Sequence, residues 1–67
     1  MEIIVNGQPE TLSQGQLTVS DLLAARQLTG KRIAVERNGE IVPKSLHSVT
    51  ALNAGDRIEI VVAVGGG

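Results

Sequence analysis

Apolar positions along the chain fall into five short runs bounded by turn residues, with one stretch of helical spacing between the second run and the third. Met1-Glu2-Ile3-Ile4-Val5 is rich in β-branched residues and stops at Asn6-Gly7, a pair suited to the positive φ angles of a two-residue hairpin. Glu10-Thr11-Leu12, after Pro9, predicts a weaker second strand. The missing proline N–H assigns that strand to a sheet edge. Ser13 to Gln16 reads as a loop. Thr18-Val19-Ser20-Asp21 then opens a helix. The Thr18 hydroxyl can accept from the Asp21 N–H while the Asp21 carboxylate reaches back, forming a capping box. Leu17 and Leu22 are spaced for a hydrophobic staple. Val19, Leu22, Leu23 and Arg26 continue the helical spacing, and Gly30 predicts a stop, which gives a helix over residues 19–28.

Arg32 to Arg37 alternates as a strand and turns at Asn38-Gly39 into Glu40-Ile41-Val42. A two-residue loop pairs Arg37 with Glu40, Glu36 with Ile41 and Val35 with Val42. Pro43 ends the strand. Lys44 to Leu52 has no clear period; a short 3₁₀ turn is expected, with Leu46, Val49 and Leu52 tucked inward and His47 at the surface. Asn53-Ala54-Gly55-Asp56 is a turn, and Asp56 and Glu59 read as turn and strand-surface residues. Arg57 to Val64 forms the last strand, with Ile58, Ile60 and Val62 on its inner face. The first and last strands are the most apolar and so belong at the centre of the sheet. These elements predict an α+β roll, a mixed sheet of four to five strands around one helix. The domain spans residues 1–64, followed by a flexible glycine tail at 65–67.

The totals narrow the function. Sixty-seven residues make one small domain, which buries only about 60% of its unfolded surface. The chain has no cysteine and no aromatic residue, so its core must be Ile, Val and Leu, and neither a disulfide nor a thiolate metal site can staple it. Net charge is −1 and the cations are scattered from Arg26 to Arg57. With no basic face and no stacking ring, no nucleic-acid partner is expected. No apolar run reaches the length of a membrane span, and Glu2, Asn6 and Gly7 do not suit a signal peptide, so a soluble, cytoplasmic protein without a membrane partner is expected. His47 has no carboxylate or second histidine at ligand spacing, and no metal site is expected. Gly65-Gly66-Gly67 is followed by neither a helix nor Lys-Ser/Thr, which excludes a phosphate cradle. Three glycines instead make a thin tail whose terminal carboxylate is sterically open to attack an activated phosphate.

Taken together, the opening strand with Asn6-Gly7, the helix Val19-Ser20-Asp21-Leu22-Leu23, the stretch from Val35 to Lys44, Gly55-Asp56-Arg57-Ile58-Glu59-Ile60 and the ending Val64-Gly65-Gly66-Gly67 resemble the ubiquitin-like β-grasp sulfur carriers. The likeness is greatest to the ThiS family of thiamin thiazole biosynthesis and spans nearly the whole chain. The resemblance implies a β-grasp fold and a carrier that is not itself an enzyme. It also implies that Gly67 is the residue modified: an E1-like adenylating enzyme of the ThiF type uses ATP to adenylate its carboxylate, and a sulfur donor system converts the adenylate to a thiocarboxylate. A thiazole synthase of the ThiG type then takes the sulfur. Gly65 and Gly66 would thread the partner's active site, and the carrier binds no cofactor of its own. Carriers for molybdopterin or another sulfur acceptor, and a non-covalent ubiquitin-like interaction module, are the alternatives.

Strand parity adds one surface. If Val35 faces Val42 on the inside, Ile41 points out. Ile4, Val61 and Ala63 have the outward parity of the first and last strands. These four residues, Ile4, Ile41, Val61 and Ala63, are expected on the sheet face away from the helix as a partner-docking surface, unless the Lys44–Leu52 linker covers part of it.

Overall fold

The computed structural model describes residues 1–63, and it begins with the hairpin that Asn6-Gly7 favours. Strands β1 (Glu2–Val5) and β2 (Gln8–Thr11) run antiparallel, with Val5 opposite Gln8. Asn6 and Gly7 have φ of 50° and 80°, the paired positive values of a type I′ turn. β2 starts at Gln8, earlier than its apolar pattern predicts, and runs through Pro9. The pairing explains why the proline is tolerated. Pro9 lies opposite Ile4, whose own N–H turns the other way to the Asp56 carbonyl at 2.9 Å. The pair is therefore a non-hydrogen-bonded one, and the missing donor points off the edge of the sheet.

The second hairpin has the predicted register. In β3 (Ile33–Arg37) and β4 (Glu40–Val42), Val35 faces Val42, Glu36 faces Ile41 and Arg37 faces Glu40. β5 (Arg57–Val62) lies between the two hairpins in the order β2-β1-β5-β3-β4, parallel to β1 and antiparallel to β3. One face of this mixed sheet packs on the helix. Ile3, Val5, Val35, Val42, Ile58 and Ile60 meet Val19, Leu22 and Leu23 of the helix, with Leu12 and Leu52 closing the ends.

The helix, α1 (Val19–Ala25), stops short of the predicted residue 28. Gln27 adopts φ 59°, its N–H bonds the Ala24 carbonyl at 3.0 Å, and the Leu28 N–H bonds the Leu23 carbonyl at 2.8 Å. This is a Schellman ending with glutamine in the left-handed position, and it turns Leu28 back onto the core. Gly30, at φ 83°, serves the following loop and not the helix cap. The capping box forms as predicted: the Asp21 N–H donates to Thr18 Oγ1 at 3.2 Å and Asp21 Oδ2 accepts from Thr18 N–H at 2.9 Å. Asp21 Oδ2 also accepts from Leu17 N–H, and these bonds hold its carboxyl below the usual range. The staple is absent in the expected sense, since the Leu17 side chain stays exposed. Leu17 contributes its carbonyl instead, accepting from Leu52 N–H at 2.9 Å.

The linker departs most from expectation. Its 3₁₀ turn is present at Lys44–Leu46 and Leu52 is buried, but Leu46 and Val49 are exposed. The residue tucked inward is His47, 7% exposed, with Nε2 3.0 Å from the Val42 carbonyl. The reason lies at the helix start. Val19 N–H donates to the Thr50 carbonyl at 3.0 Å and Ser20 N–H to the His47 carbonyl at 2.9 Å. Together with the capping box, these bonds satisfy the donors that a helix N-terminus leaves open. Placing both carbonyls there fixes the linker's rotation, and His47 faces in while Leu46 and Val49 face out. Among the described residues no helix is long and apolar enough to cross a membrane.

Both hairpin asparagines also grip β5. The Asn6 side chain donates to the Ile60 carbonyl at 3.2 Å and accepts from Ile60 N–H at 2.7 Å, acting as one more strand residue beyond the end of β1. Asn38 Oδ1 accepts from Arg57 N–H at 2.9 Å, and its Nδ2 donates to Asp56 Oδ1 at 3.0 Å. Asp56 is more than a turn residue. It is 6% exposed, and its Oδ2 also accepts from Arg37 Nε at 2.9 Å and Asn53 N–H at 2.8 Å. Burial alone would raise this carboxyl, but the bonds from Asn38, Asn53 and Arg37 outweigh it and hold the group below its ordinary value.

Two stability effects follow. Asp56→Ala should cost about 2–3 kcal/mol in urea unfolding at pH 7, because it strands several donors at one buried point. The folded-state pKa is depressed, so this stabilisation is present above the unfolded value of about 3.9 and is lost as pH falls through the folded value. The gap between wild type and Asp56→Ala should therefore narrow in acid. Asn6→Gly keeps the positive φ but removes the amide, and should cost about 1–2 kcal/mol. No loss in that variant would mean the Ile60 bonds contribute nothing.

Candidate functional site

Burial alternates cleanly along β5, with Ile58 and Ile60 buried and Arg57, Glu59 and Val61 exposed. The outward face is thereby set for the whole sheet, since neighbours in register share it. It presents Ile4 and, on β3 and β4, Ala34, Glu36 and Ile41. Ile41 is 72% exposed and Val61 62%; Ala63 is exposed and Ile4 half-buried. All four residues singled out from parity thus lie on the face away from the helix. The linker leaves Ile41, Val61 and Ala63 exposed, although its Leu46 and Thr50 share a shallow surface pocket with Ile41. Val62, expected inside, is 39% exposed at the end of its strand.

The register also shows that these residues do not form one continuous patch. Val61 lies opposite Ala34, and Ile4 lies opposite Arg57. Between them Glu59 faces Glu36, which in turn faces Ile41. Two like charges directly across a ladder disfavour the sheet by a few tenths of a kcal/mol or more, roughly. Among the described residues neither glutamate has an ion-pair partner; the pairs present are Arg26–Glu10 and Arg37–Asp56. The outer face is therefore a set of small apolar islands around a charged centre of Glu36, Glu59 and Arg57. Parity alone could place the apolar residues, but only the cross-strand register shows what separates them.

β5 ends beside the start of β3. Val62 is paired with Ile33, and Ala63 N–H donates to the Arg32 carbonyl at 2.9 Å. This is the root of the glycine tail. Gly65, Gly66 and Gly67, and the domain boundary at residue 64, lie outside the described residues. Within the described residues no three His, Cys, Asp or Glu side chains gather to hold a metal. The chain has no thiol, and its single histidine is buried with Nε2 against a backbone carbonyl. Among the described residues the outer sheet face and the root of the tail are thus the features left to consider.

Comparison with known proteins places the chain in a family. A family model described as the ThiS family matches residues 3–67. The chain is 43% identical over 63 residues to the sulfur carrier protein ThiS of Bacillus subtilis, covering 94% of this chain and 96% of that protein. It is also 43% identical over 67 residues to a thiazole synthase of Paramagnetospirillum magneticum, all of this chain but only 20% of the synthase. The chain thus spans a fifth of that longer relative. Among solved structures, the crystal structure of the thiamine biosynthesis protein ThiS from Geobacter metallireducens matches with a TM-score of 0.83 at 33% identity, over the full length of both chains. The fold is accordingly the ubiquitin-like β-grasp.

The geometry makes Val61 a clean probe of the outer face. Val61→Asp should leave the circular-dichroism spectrum and melting point near wild type, a change within about 0.5 kcal/mol. Ile60→Asp, one residue away and buried, should unfold the domain. Equal damage from both would show that the outer face is covered.

Proposed function

The chain belongs to the ThiS family of sulfur carriers of thiamin biosynthesis, and from that premise we propose that the carboxylate of Gly67 is the group on which it carries sulfur. The observation that bears most weight is the family match, which runs through the described domain and on to residue 67. A carboxylate accepts sulfur poorly because its oxygen leaves poorly. Transfer to ATP's α-phosphate with release of pyrophosphate makes an acyl-adenylate, from which AMP leaves readily. A sulfur donor system then delivers sulfur to the acyl carbon and leaves a thiocarboxylate.

In this reading the carrier is a substrate and not an enzyme. It supplies no base, thiol or metal, and ATP is held by an E1-like adenylating partner of the ThiF type. Catalysis comes from that partner's positioning of the tail. Gly65 and Gly66 suit a narrow channel because no Cβ widens the chain. Ile4, Ile41, Val61 and Ala63 form the docking face, with Val61 and Ala63 nearest the tail. Because adenylation draws on ATP, the reading puts the carrier in the cytoplasm. The acceptor is a thiazole synthase of the ThiG type. Support comes from the Paramagnetospirillum thiazole synthase, one fifth of which is similar to this entire chain. Sharing one chain raises the effective concentration of a carrier-like segment at its synthase.

The decisive measurement is an intact mass after incubation with ATP, a ThiF-type enzyme and a sulfur source. One oxygen-to-sulfur exchange should appear, localised to the C-terminal peptide; sulfur on an internal residue would end the reading. Gly67→Val should abolish the product, since a β-branched side chain both widens and stiffens the tail. Val61→Asp should weaken binding to the activating enzyme while the fold persists. Adenylation of Gly67→Val at the wild-type rate would refute the narrow-channel argument.

A further inference from the structure

On the helix side of the sheet, directly across β3 from the outer face, a surface cavity of 170 Å³ opens between the end of α1, the start of β3 and the 3₁₀ turn. Leu23, Leu28 and Ile33 give it an apolar floor, Lys31 and Lys44 stand at its rim, and His47 lines one wall. Leu28 and Ile33 are only partly buried, so the floor is apolar surface left open to solvent. The cavity lies just beyond the end of α1, where Gln27 takes its left-handed turn and the chain runs on through Leu28 to Lys31.

Charge distinguishes this cavity from an ordinary surface dent. Arg26 and Arg37 are in ion pairs, with Glu10 and Asp56. Of the four remaining cations, Lys31 and Lys44 share the cavity rim, Arg32 is the residue whose carbonyl holds Ala63, and Arg57 lies on β5 opposite Ile4. Neither rim lysine has an ion-pair partner among the described residues. Ile33 both lines the cavity and pairs with Val62, the last residue of β5. The cavity therefore adjoins the root of the tail, on the opposite side of the sheet from Val61.

We propose that this cavity is a second anchor for the activating enzyme, receiving an apolar side chain flanked by a carboxylate from the surface around that enzyme's tail channel. The proposal rests on the tail reading above, because an enzyme that takes in residues 65–67 must surround the tail root. It then faces both the outer sheet and this cavity. Two ammonium groups over an apolar floor fit an acidic–apolar segment and repel a basic one. A free inorganic anion would leave the floor exposed. A second copy of this chain would have to bring an acidic–apolar surface such as the one around Glu36, Glu59 and Ile41, a heterologous contact that would show as concentration-dependent association.

The test measures binding of the full chain to a ThiF-type enzyme at low and high salt, with circular dichroism as the fold control. The variants are Lys31→Glu/Lys44→Glu and Lys31→Arg/Lys44→Arg. The anchor predicts that charge reversal raises Kd about tenfold or more at low salt and flattens the salt dependence. The arginine pair should stay near wild type, and at saturating enzyme the reversed variant should still gain the thiocarboxylate. Unchanged Kd and salt dependence on reversal, with adenylation normal, overturns the anchor alone. Normal wild-type binding without adenylation overturns the tail reading and, because the anchor rests on it, the anchor as well. Absence of wild-type binding overturns both. Concentration-dependent chain growth in sedimentation, abolished by the reversal, would assign the cavity to self-association and also overturn the proposal.

Discussion

β5 can lie at the centre of the sheet only if β1, the strand farthest from it in sequence, is held beside it. The Asn6–Ile60 contact joins residues 54 apart, and closing so long a loop carries an entropic cost that the ladder must offset. The ladder itself is short, pairing Ile4 with Arg57 and Val5 with Ile58. The Asn6 amide lengthens it by standing in for a further strand residue at Ile60. At the other end of β5, Asn38 and Asp56 tie the strand's first residues to the second hairpin. Each asparagine thus has two roles, supplying a left-handed turn residue and fastening the central strand.

This economy suits a domain without aromatic residues. Leu, Ile and Val alone give a thin core, and a chain this short has little further apolar surface to bury. Complete satisfaction of polar groups becomes correspondingly important, and no buried side-chain nitrogen or oxygen among the described residues lacks a partner. The seven-residue helix illustrates the point. It is too short to stand alone, and it is secured at its start by Thr18, Asp21 and two linker carbonyls, and at its end by the Schellman bonds.

Local chemistry made much of this legible in the sequence. Asn-Gly dictated both hairpins and the second register, Thr18-x-x-Asp21 the helix start, and period-two alternation the outward residues Ile41 and Val61. What escaped is what depends on distant partners. The helix ends earlier than Gly30 suggests: glycine is the commonest left-handed cap, but here Gln27 accepts that conformation and folds Leu28 onto the core. Leu46, Val49 and His47 were inverted because an aperiodic linker carries no face of its own. The helix N-terminus chose its rotation. Asp56 looks like a turn residue in the sequence because its partners, Arg37 and Asn38, lie in another hairpin. For the candidate site, residue type and parity located the exposed apolar positions, while the Glu36–Glu59 divide and the lysine-rimmed cavity exist only once strands are in register.

The divided outer face makes physical sense for a carrier passed between enzymes. A continuous apolar sheet face would favour a large, lasting interface and, in the free protein, self-association. Small islands around Val61, Ile41 and Ile4, kept apart by Glu36, Glu59 and Arg57, limit the area any one partner can dry. In the proposed cycle this matters twice, because the activating enzyme must release the carrier and the synthase must then take it. Weak contact on one face would, however, leave the tail's direction of entry poorly defined. A grip on both sides of the β5 end resolves the conflict. Val61 on one side and the Ile33 cavity on the other bracket the same strand terminus, so in the proposed docking two individually weak contacts would fix one direction of approach. On that proposal affinity would stay low because each contact is small, and aim would stay accurate because the two are separated by the thickness of the sheet.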